Sequence, residues 1–229
     1  MPILSIIRPA IPPSSKDHFL AAWPTLLAEL QAQPGILHAT AGEVVAEDGQ
    51  KVDEFEIIQY LGNLPGPSQS WMIKDINAYV SAFASAEDEE AFTKSTWAQE
   101  HKARFESSGA PHPTVGRFEF SDLSDGSSPK PFLQLTSITL SSESQRDEVR
   151  GAWTNLITIL GKETRGGKLL RDDVFNGIAF LGWDSLEGFL LTFGFGQEVE
   201  NAYKDPKASE ALALYKSLGQ VKSVLLKLL

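Results

Sequence analysis

Ser14-Ser-Lys-Asp-His-Phe-Leu-Ala-Ala-Trp-Pro-Thr-Leu-Leu-Ala-Glu-Leu30 and Ser144-Gln-Arg-Asp-Glu-Val-Arg-Gly-Ala-Trp-Thr-Asn-Leu-Ile-Thr-Ile-Leu160 are the two stretches that decide the fold. Trp23 matches Trp153, Leu26 matches Leu156 and Leu30 matches Leu160, each pair 130 residues apart. In both stretches apolar residues recur at i, i+4, i+7, i+8 and i+11 (Phe19 and Val149 onward), which is one face of a 3.6-residue helix. Ser followed three residues later by Asp is a helix-start signal in each, weaker than a Glu/Gln capping box.

Phe55-Glu-Ile-Ile-Gln-Tyr-Leu-Gly62 matches Phe175-Asn-Gly-Ile-Ala-Phe-Leu-Gly182 at a separation of 120. Both are short and rich in β-formers and read as strands. The first half then carries about ten extra residues around Gly42–Val52, where Glu47-Asp-Gly49 has the composition of a hairpin turn. Asp75, Ile76, Tyr79, Val80 and Phe83 have helical spacing and match Asp184, Leu186, Phe189, Leu190 and Phe193. Phe92, Phe105 and Gly109 match Tyr203, Tyr215 and Gly219, and each half closes on a candidate strand, Val115–Phe120 and Val221–Leu229. Each half therefore reads β-α-β-β-α-β, the ferredoxin-like split βαβ order, giving an α+β chain. The expected organisation is a first half over residues 1–120, a polar Gly/Pro-rich linker over 121–131 and a second half over 132–229. One such unit leaves a sheet face bare. At about 1.5–3 kcal/mol per large apolar side chain buried, the two halves are expected to pair within the chain as a pseudo-dimeric α/β barrel.

The 229 residues carry 30 acidic and 20 basic side chains, a net charge of −10, which argues against a nucleic-acid partner needing a basic face. An apolar content of 42% suits a globular chain. The absence of Cys removes disulfides, thiol catalysis and Cys-ligated metal, and suits a reducing, cytoplasmic setting. The apolar run Ile3–Ile7 is too short for a signal-peptide core or a membrane span.

Gly182-Trp-Asp-Ser-Leu-Glu-Gly-Phe189 resembles the Gly-Trp-(Asp/Glu)-Ser-x-Glu-(Ala)-His segment of dimeric α/β-barrel proteins. Trp97-Ala-Gln-Glu-His-Lys-Ala-Arg-Phe105 resembles the end of their second helix. The nearest branch is the antibiotic-biosynthesis-monooxygenase-like group, in its tandem, single-chain form. The resemblance implies a barrel-like pair of sheets with a pocket between each sheet and its helices. It implies a membership of cofactor-free oxygenases of phenols and anthrones, haem-handling enzymes, isomerases, decarboxylases and cyclases, so fold does not fix function. Where relatives often carry His, this chain has Gly188-Phe189, and in the first half Trp71 lies beyond a Pro/Gly insertion, Asn63–Ser70.

Among candidate catalytic groups, His101 lies between Trp97 and Phe105 on one helix face, where it could act as a general base. The alternative is a helix-surface His pairing with Glu100 or Glu106. Tyr60 and Gln59 are replaced in the second half by Phe180 and Ala179, as His101 is by Ala211, so the polar, working site is expected in the first half. A Tyr hydroxyl at a pocket could hold a phenol or carbonyl; the alternative is a buried Tyr with its hydroxyl at the rim. His38 and Thr40, two apart, share a strand face that is either the inner or the outer one. Trp71, Trp97 and Trp183 are candidate aromatic walls with Phe105, whereas Trp23 and Trp153 are expected in the core. Glu87-Asp-Glu-Glu90 reads as a solvated helix start favoured by the dipole. His18 reads as a solvated first-turn residue and His112 as part of a rigid Pro-His-Pro loop. No His spacing suits a metal, no phosphate loop or nucleophile elbow occurs, and nothing favours haem on a single His, so no cofactor is expected.

Two functions follow. One is a cofactor-free small-molecule tailoring enzyme acting on a phenolic or polycyclic aromatic substrate by oxygenation or base-catalysed cyclisation, isomerisation or decarboxylation. The other is a non-catalytic carrier of an apolar ligand, or an interaction protein. Either takes a small aromatic or apolar molecule as partner, with neither nucleic acid nor membrane; a further homodimer stays open.

Overall fold

The computed structural model describes residues 3–8, 11, 13–48, 50–52, 57–61, 81–107, 114–120, 130–162, 164–170, 175–185 and 206–228. They fall into two compact units, Met1–Val44 with Asp53–Gly126 and Lys227–Leu229, and Val45–Val52 with Ser127–Leu226.

The first unit opens with β1 (Ile3–Arg8) and a 3-10 turn at Pro13–Ser15 that leads into α1 (Lys16–Gln31). Trp23 and Leu30 are the buried residues of α1, and Phe19 stacks on Trp23 at 6.0 Å. The chain returns through β2 (Ile36–His38) and β3 (Thr40–Glu47), turns at Asp48 into β4 (Gln50–Lys51), with Val45–Val52 counted to the second unit, and continues in the first as β5 (Ile57–Leu61). Asp48 has φ +46°, the left-handed conformation that the Asp-Gly hairpin signal anticipates. After β6 (Ser81–Phe83) come α2 (Ala86–Thr93), α3 (Thr96–Ser107) and β7 (Thr114–Phe120).

The register explains β6. Ser5 of β1 is the antiparallel partner of both Leu61 and Ser81, while Ile6 and Ile7 meet Tyr60 and Gln59, and Ile3 and Leu4 meet Phe83 and Ala82. The chain leaves a strand position at Leu61 and resumes it at Ser81. Likewise β2 borders β6 and β3 borders β5. On the other side β1 pairs with β7. In order of appearance the strand positions therefore run fourth, first, third, second. Phe83 is thus a buried strand residue and not the end of a helix, which corrects the helical reading at that residue of the Asp75–Phe83 block. Its other members lie outside the described residues.

The second unit has β8 (Phe132–Leu140), a 3-10 turn at Glu143–Gln145, α4 (Arg146–Ile159), β9 (Thr164–Leu169), β10 (Phe175–Trp183), α5 (Pro206–Ser217) and β11 (Gln220–Leu228). A capping box of Ser142 and Gln145 starts the 3-10 turn that leads into α4, so the serine that caps stands two residues before Ser144. The strand order is β11-β8-β10-β9, again fourth, first, third, second. β8 and β10 pair along their whole length, from Phe132↔Trp183 to Leu140↔Phe175. Val149, Ala152, Trp153, Leu156 and Ile157 of α4 and Ala211, Leu212 and Tyr215 of α5 form one core with Ile138, Ala179, Leu181, Trp183 and Leu225 of the sheet. Leu133, Gln134, Leu135 and Thr136 are all buried in sequence, so both faces of β8 are covered. Among the described residues no helix is long and apolar enough to cross a membrane.

Candidate functional site

The start of α2 carries the most unusual side chain of the first unit. Ser85 caps the helix by accepting from the Asp88 N–H at 3.2 Å. Glu87 is exposed, and a backbone N–H of its own turn and the Ser85 hydroxyl hold its carboxyl below the usual range. Glu89, two residues on, points the other way and is only 5% exposed. The acidic run is therefore not uniformly solvated, which corrects its reading from sequence.

Glu89 meets two strands. Buried Ser5 of β1 donates its hydroxyl to Glu89 Oε1 at 2.7 Å. From β7, Arg117 donates Nε to Oε1 at 2.8 Å and to Oε2 at 3.0 Å, and Nη2 also donates to Oε2. The register that pairs Leu4 with Phe118 sets Arg117 beside Ser5. The sheet face that Ser5 presents is therefore the one α2 covers. Hydrogen bonding to Glu89 raises the Arg117 pKa further above its already high value, so the guanidinium remains cationic. Charge-assisted, forked contacts of this kind fix geometry as well as energy.

His101 occupies α3 with Trp97 and Phe105, all three half-buried, as their spacing predicts. Its ring stacks on Trp97 with centroids 3.8 Å apart. Nδ1 donates to the Trp97 carbonyl at 2.9 Å, since a carbonyl can only accept, which leaves Nε2 facing Glu29 Oε2 of α1 at 3.8 Å. The Trp97 indole N–H donates to the same Glu29 oxygen at 3.2 Å. Aromatic contact continues from Trp97 to Phe92 and on to Phe83. The acidic partner of His101 is thus Glu29. Glu100 and Glu106, expected from sequence, pair instead with Arg104 and Lys102.

Tyr60 stands opposite Thr40 and Ile6 in the sheet, and Gln59 opposite Ala41 and Ile7. Thr40 is half-buried. His38 ends β2 and Thr40 opens β3, with Ala39 between them and a register irregularity between Ile36 and His38. Strict alternation cannot be run through Ala39, so the shared face expected for His38 and Thr40 does not follow from the strand. Trp71 and His112 lie outside the described residues.

In the second unit Trp183 is buried within the core and donates its indole N–H to Gln134 Oε1 at 2.8 Å. Gln134 in turn donates Nε2 to Thr136 Oγ1 at 2.7 Å and to Ser223 Oγ at 3.1 Å. Lys162 Nζ lies 4.5 Å from the Trp183 ring centroid. Sequence reasoning placed Trp183 in a pocket wall. The structure gives it packing partners of the core and makes it the anchor of a buried neutral network.

No family model matches the sequence, and no curated protein does. Solved structures do match. A candidate monooxygenase from Fusobacterium nucleatum aligns with 100% of this chain and 92% of its own at TM-score 0.62 and 12% identity. An anthrone oxidase-like protein aligns with 100% of this chain and 90% of its own at TM-score 0.60 and 12% identity. The chain shares the fold of these two proteins. A candidate monooxygenase from Lactobacillus acidophilus gives TM-score 0.52, also at 12% identity, over 98% of this chain and 92% of that one. At such identity the likeness concerns the fold and carries no residue roles across.

Proposed function

We propose that the chain is a fused pair of ferredoxin-like units acting as a cofactor-free, small-molecule tailoring enzyme on a phenolic or polycyclic aromatic substrate. The observation that carries this reading is the charged cluster of Ser5, Glu89 and Arg117, held where α2 covers the first unit's sheet. Apolar side chains of similar volume often serve stability as well as a buried ion pair or better, so the presence of the pair favours a role beyond packing. The fold likeness to an anthrone oxidase-like protein supports the reaction class. The repeat supports the fused pair: α1 and α4 begin 130 residues apart, and both units run fourth, first, third, second in strand order.

In this reading the proton-handling groups are His101, Tyr60 and His38, and the aromatic and polar lining comes from Trp71, Trp97, Phe105, Gln59 and Thr40. His101 has the better-defined geometry of the three, with Nδ1 fixed by a backbone carbonyl and Nε2 left to take a proton. Removal of a ring CH₂ proton from an anthrone leaves a resonance-stabilised anion, which O₂ can oxidise. The balanced outcome is anthrone plus O₂ giving anthraquinone plus water.

The test is to incubate the purified protein with an anthrone in air, with chelator and no added flavin, haem or metal, and to follow O₂ uptake and quinone absorbance. Turnover above the uncatalysed rate, reduced about 10²–10⁴-fold in His101→Ala, is expected. Tight binding without turnover would favour the carrier reading instead.

A further inference from the structure

We propose that Arg117 is a preorganised receptor for an oxygen that becomes negatively charged on the substrate, with Glu89 and Ser5 as its positioning residues. The inference rests on the proposed function only for the class of substrate.

Arg117 spends Nε and Nη2 on Glu89. Among the described residues nothing accepts from its Nη1. Glu89 is saturated from the other side: Oε1 takes Ser5 and Arg117, and Oε2 takes Arg117 twice. A carboxylate so engaged is poorly placed to accept a substrate proton. Its effect is to lock the guanidinium plane in one orientation.

Exposure points the same way. The Glu89 side chain is 7% exposed, whereas that of Arg117 is 48% exposed. The carboxylate is the buried anchor and the guanidinium is the face that a ligand can reach. The pair carries no net charge, so it gives a permanent anion little long-range attraction. A neutral carbonyl or phenol oxygen suits it better, since donors fixed in advance strengthen as negative charge develops and need no reorganisation. Such a group would stabilise the enolate or phenolate formed when a base elsewhere removes the proton.

The test uses a probe that needs no turnover. 4-Nitrophenol is bound to the intact protein, and the absorbance of its phenolate is followed against pH for the wild type, Arg117→Gln, Arg117→Lys and Glu89→Asp. The bound probe should ionise more readily than the free one, by about tenfold or more in its ionisation constant, one pH unit. Arg117→Gln should abolish the shift. Arg117→Lys keeps the cation beside Glu89 but lacks the fork, so it should retain a folded protein and lose most of the shift. Glu89→Asp keeps the charge but shortens the reach to the guanidinium, so it should weaken the shift by loosening Arg117. A wild type that fails to bind the probe, or binds it with no shift, overturns the proposal, as does a shift that survives in Arg117→Lys. A shift that depends on Arg117 in a protein unable to oxidise anthrones would uphold the receptor and sink the oxygenase reading.

Discussion

Trp153 of α4 and Tyr215 of α5 pack with ring centroids 5.0 Å apart and planes tilted by 48°, which locks the two helices of the second unit together. Trp153 also donates its indole N–H to Thr164 Oγ1 at 3.1 Å, and Thr164 Oγ1 donates onward to the Phe180 carbonyl at 3.0 Å. One side chain therefore ties helix α4 to helix α5 and to strand β9. Trp153→Ala empties a site that is only 8% exposed and should cost about 3–5 kcal/mol. Chemical denaturation reads this directly; a midpoint that scarcely moves would show that the helices do not depend on this contact.

Tyr215 gives the second unit an alkaline weakness. Burial pushes its phenol well above the ordinary value. A folded-state value above the unfolded one means that the folded form holds the proton longer. The stability it confers is complete below the unfolded value of about 10 and is lost as pH rises beyond it, by up to about 1.4 kcal/mol per pH unit. Tyr215→Phe removes the ionisable oxygen and should flatten that part of the stability profile between pH 9 and about 11. Parallel curves for the wild type and the variant would count against the burial argument.

What could be read from the sequence was what periodicity encodes over a long stretch. α1 and α4 begin within two residues of Ser14 and Ser144, and Trp23 and Trp153 are buried as matched core positions. The Glu47-Asp-Gly49 turn, the strand at Phe175 and both closing strands were legible for the same reason: local composition agrees with the final structure. β6 was not, because Phe83 falls in register with the helical spacing of Ile76, Tyr79 and Val80 in the sequence, and a strand of three residues leaves no pattern of its own. Glu89 was hidden inside a run of four acids. A signal did exist. Ser85 and Glu87 stand 100 residues before Ser185 and Glu187, and that offset sets Glu89 against Phe189, an apolar type. The partner of His101 was illegible because Glu29 belongs to another helix and only the fold brings it near.

Two glycines of the second unit should respond in opposite ways. Gly151 lies within α4, and a Cβ there would meet nothing within 4 Å. Gly151→Ala should stabilise by about 0.5–1 kcal/mol, through helix propensity and a less flexible unfolded chain. Gly219 follows α5, where a Cβ would come within 2.5 Å of the Thr139 carbonyl oxygen. Backbone cannot yield as a side-chain tip can, so Gly219→Ala should cost about 1–3 kcal/mol. Thermal melting of both variants checks the pair; equal shifts would mean that the close approach of Gly219 to β8 is not maintained in solution.

The pair of Glu89 and Arg117 should break asymmetrically. In Glu89→Ala the guanidinium, already 48% exposed, turns to water. The losses are its hydrogen bonds and the partner of the Ser5 hydroxyl, about 1–3 kcal/mol. In Arg117→Ala the carboxylate of Glu89 stays in place, 7% exposed, with only Ser5 to hold it. A buried charge stripped of its partner costs about 3–5 kcal/mol, so this variant should be the less stable of the two. The exposed i,i+4 pair of Lys94 and Glu90 is the control, since solvent screens such a pair and its loss should scarcely move the midpoint. Denaturant titration of the two single variants, the double variant and Lys94→Ala at neutral pH measures all four terms. Adding Glu89→Ala to Arg117→Ala should recover stability, because it removes the stranded charge. If the double variant is instead less stable than Arg117→Ala alone, Glu89 reaches solvent once Arg117 is gone, and the buried anchor assigned to it is not the source of the asymmetry.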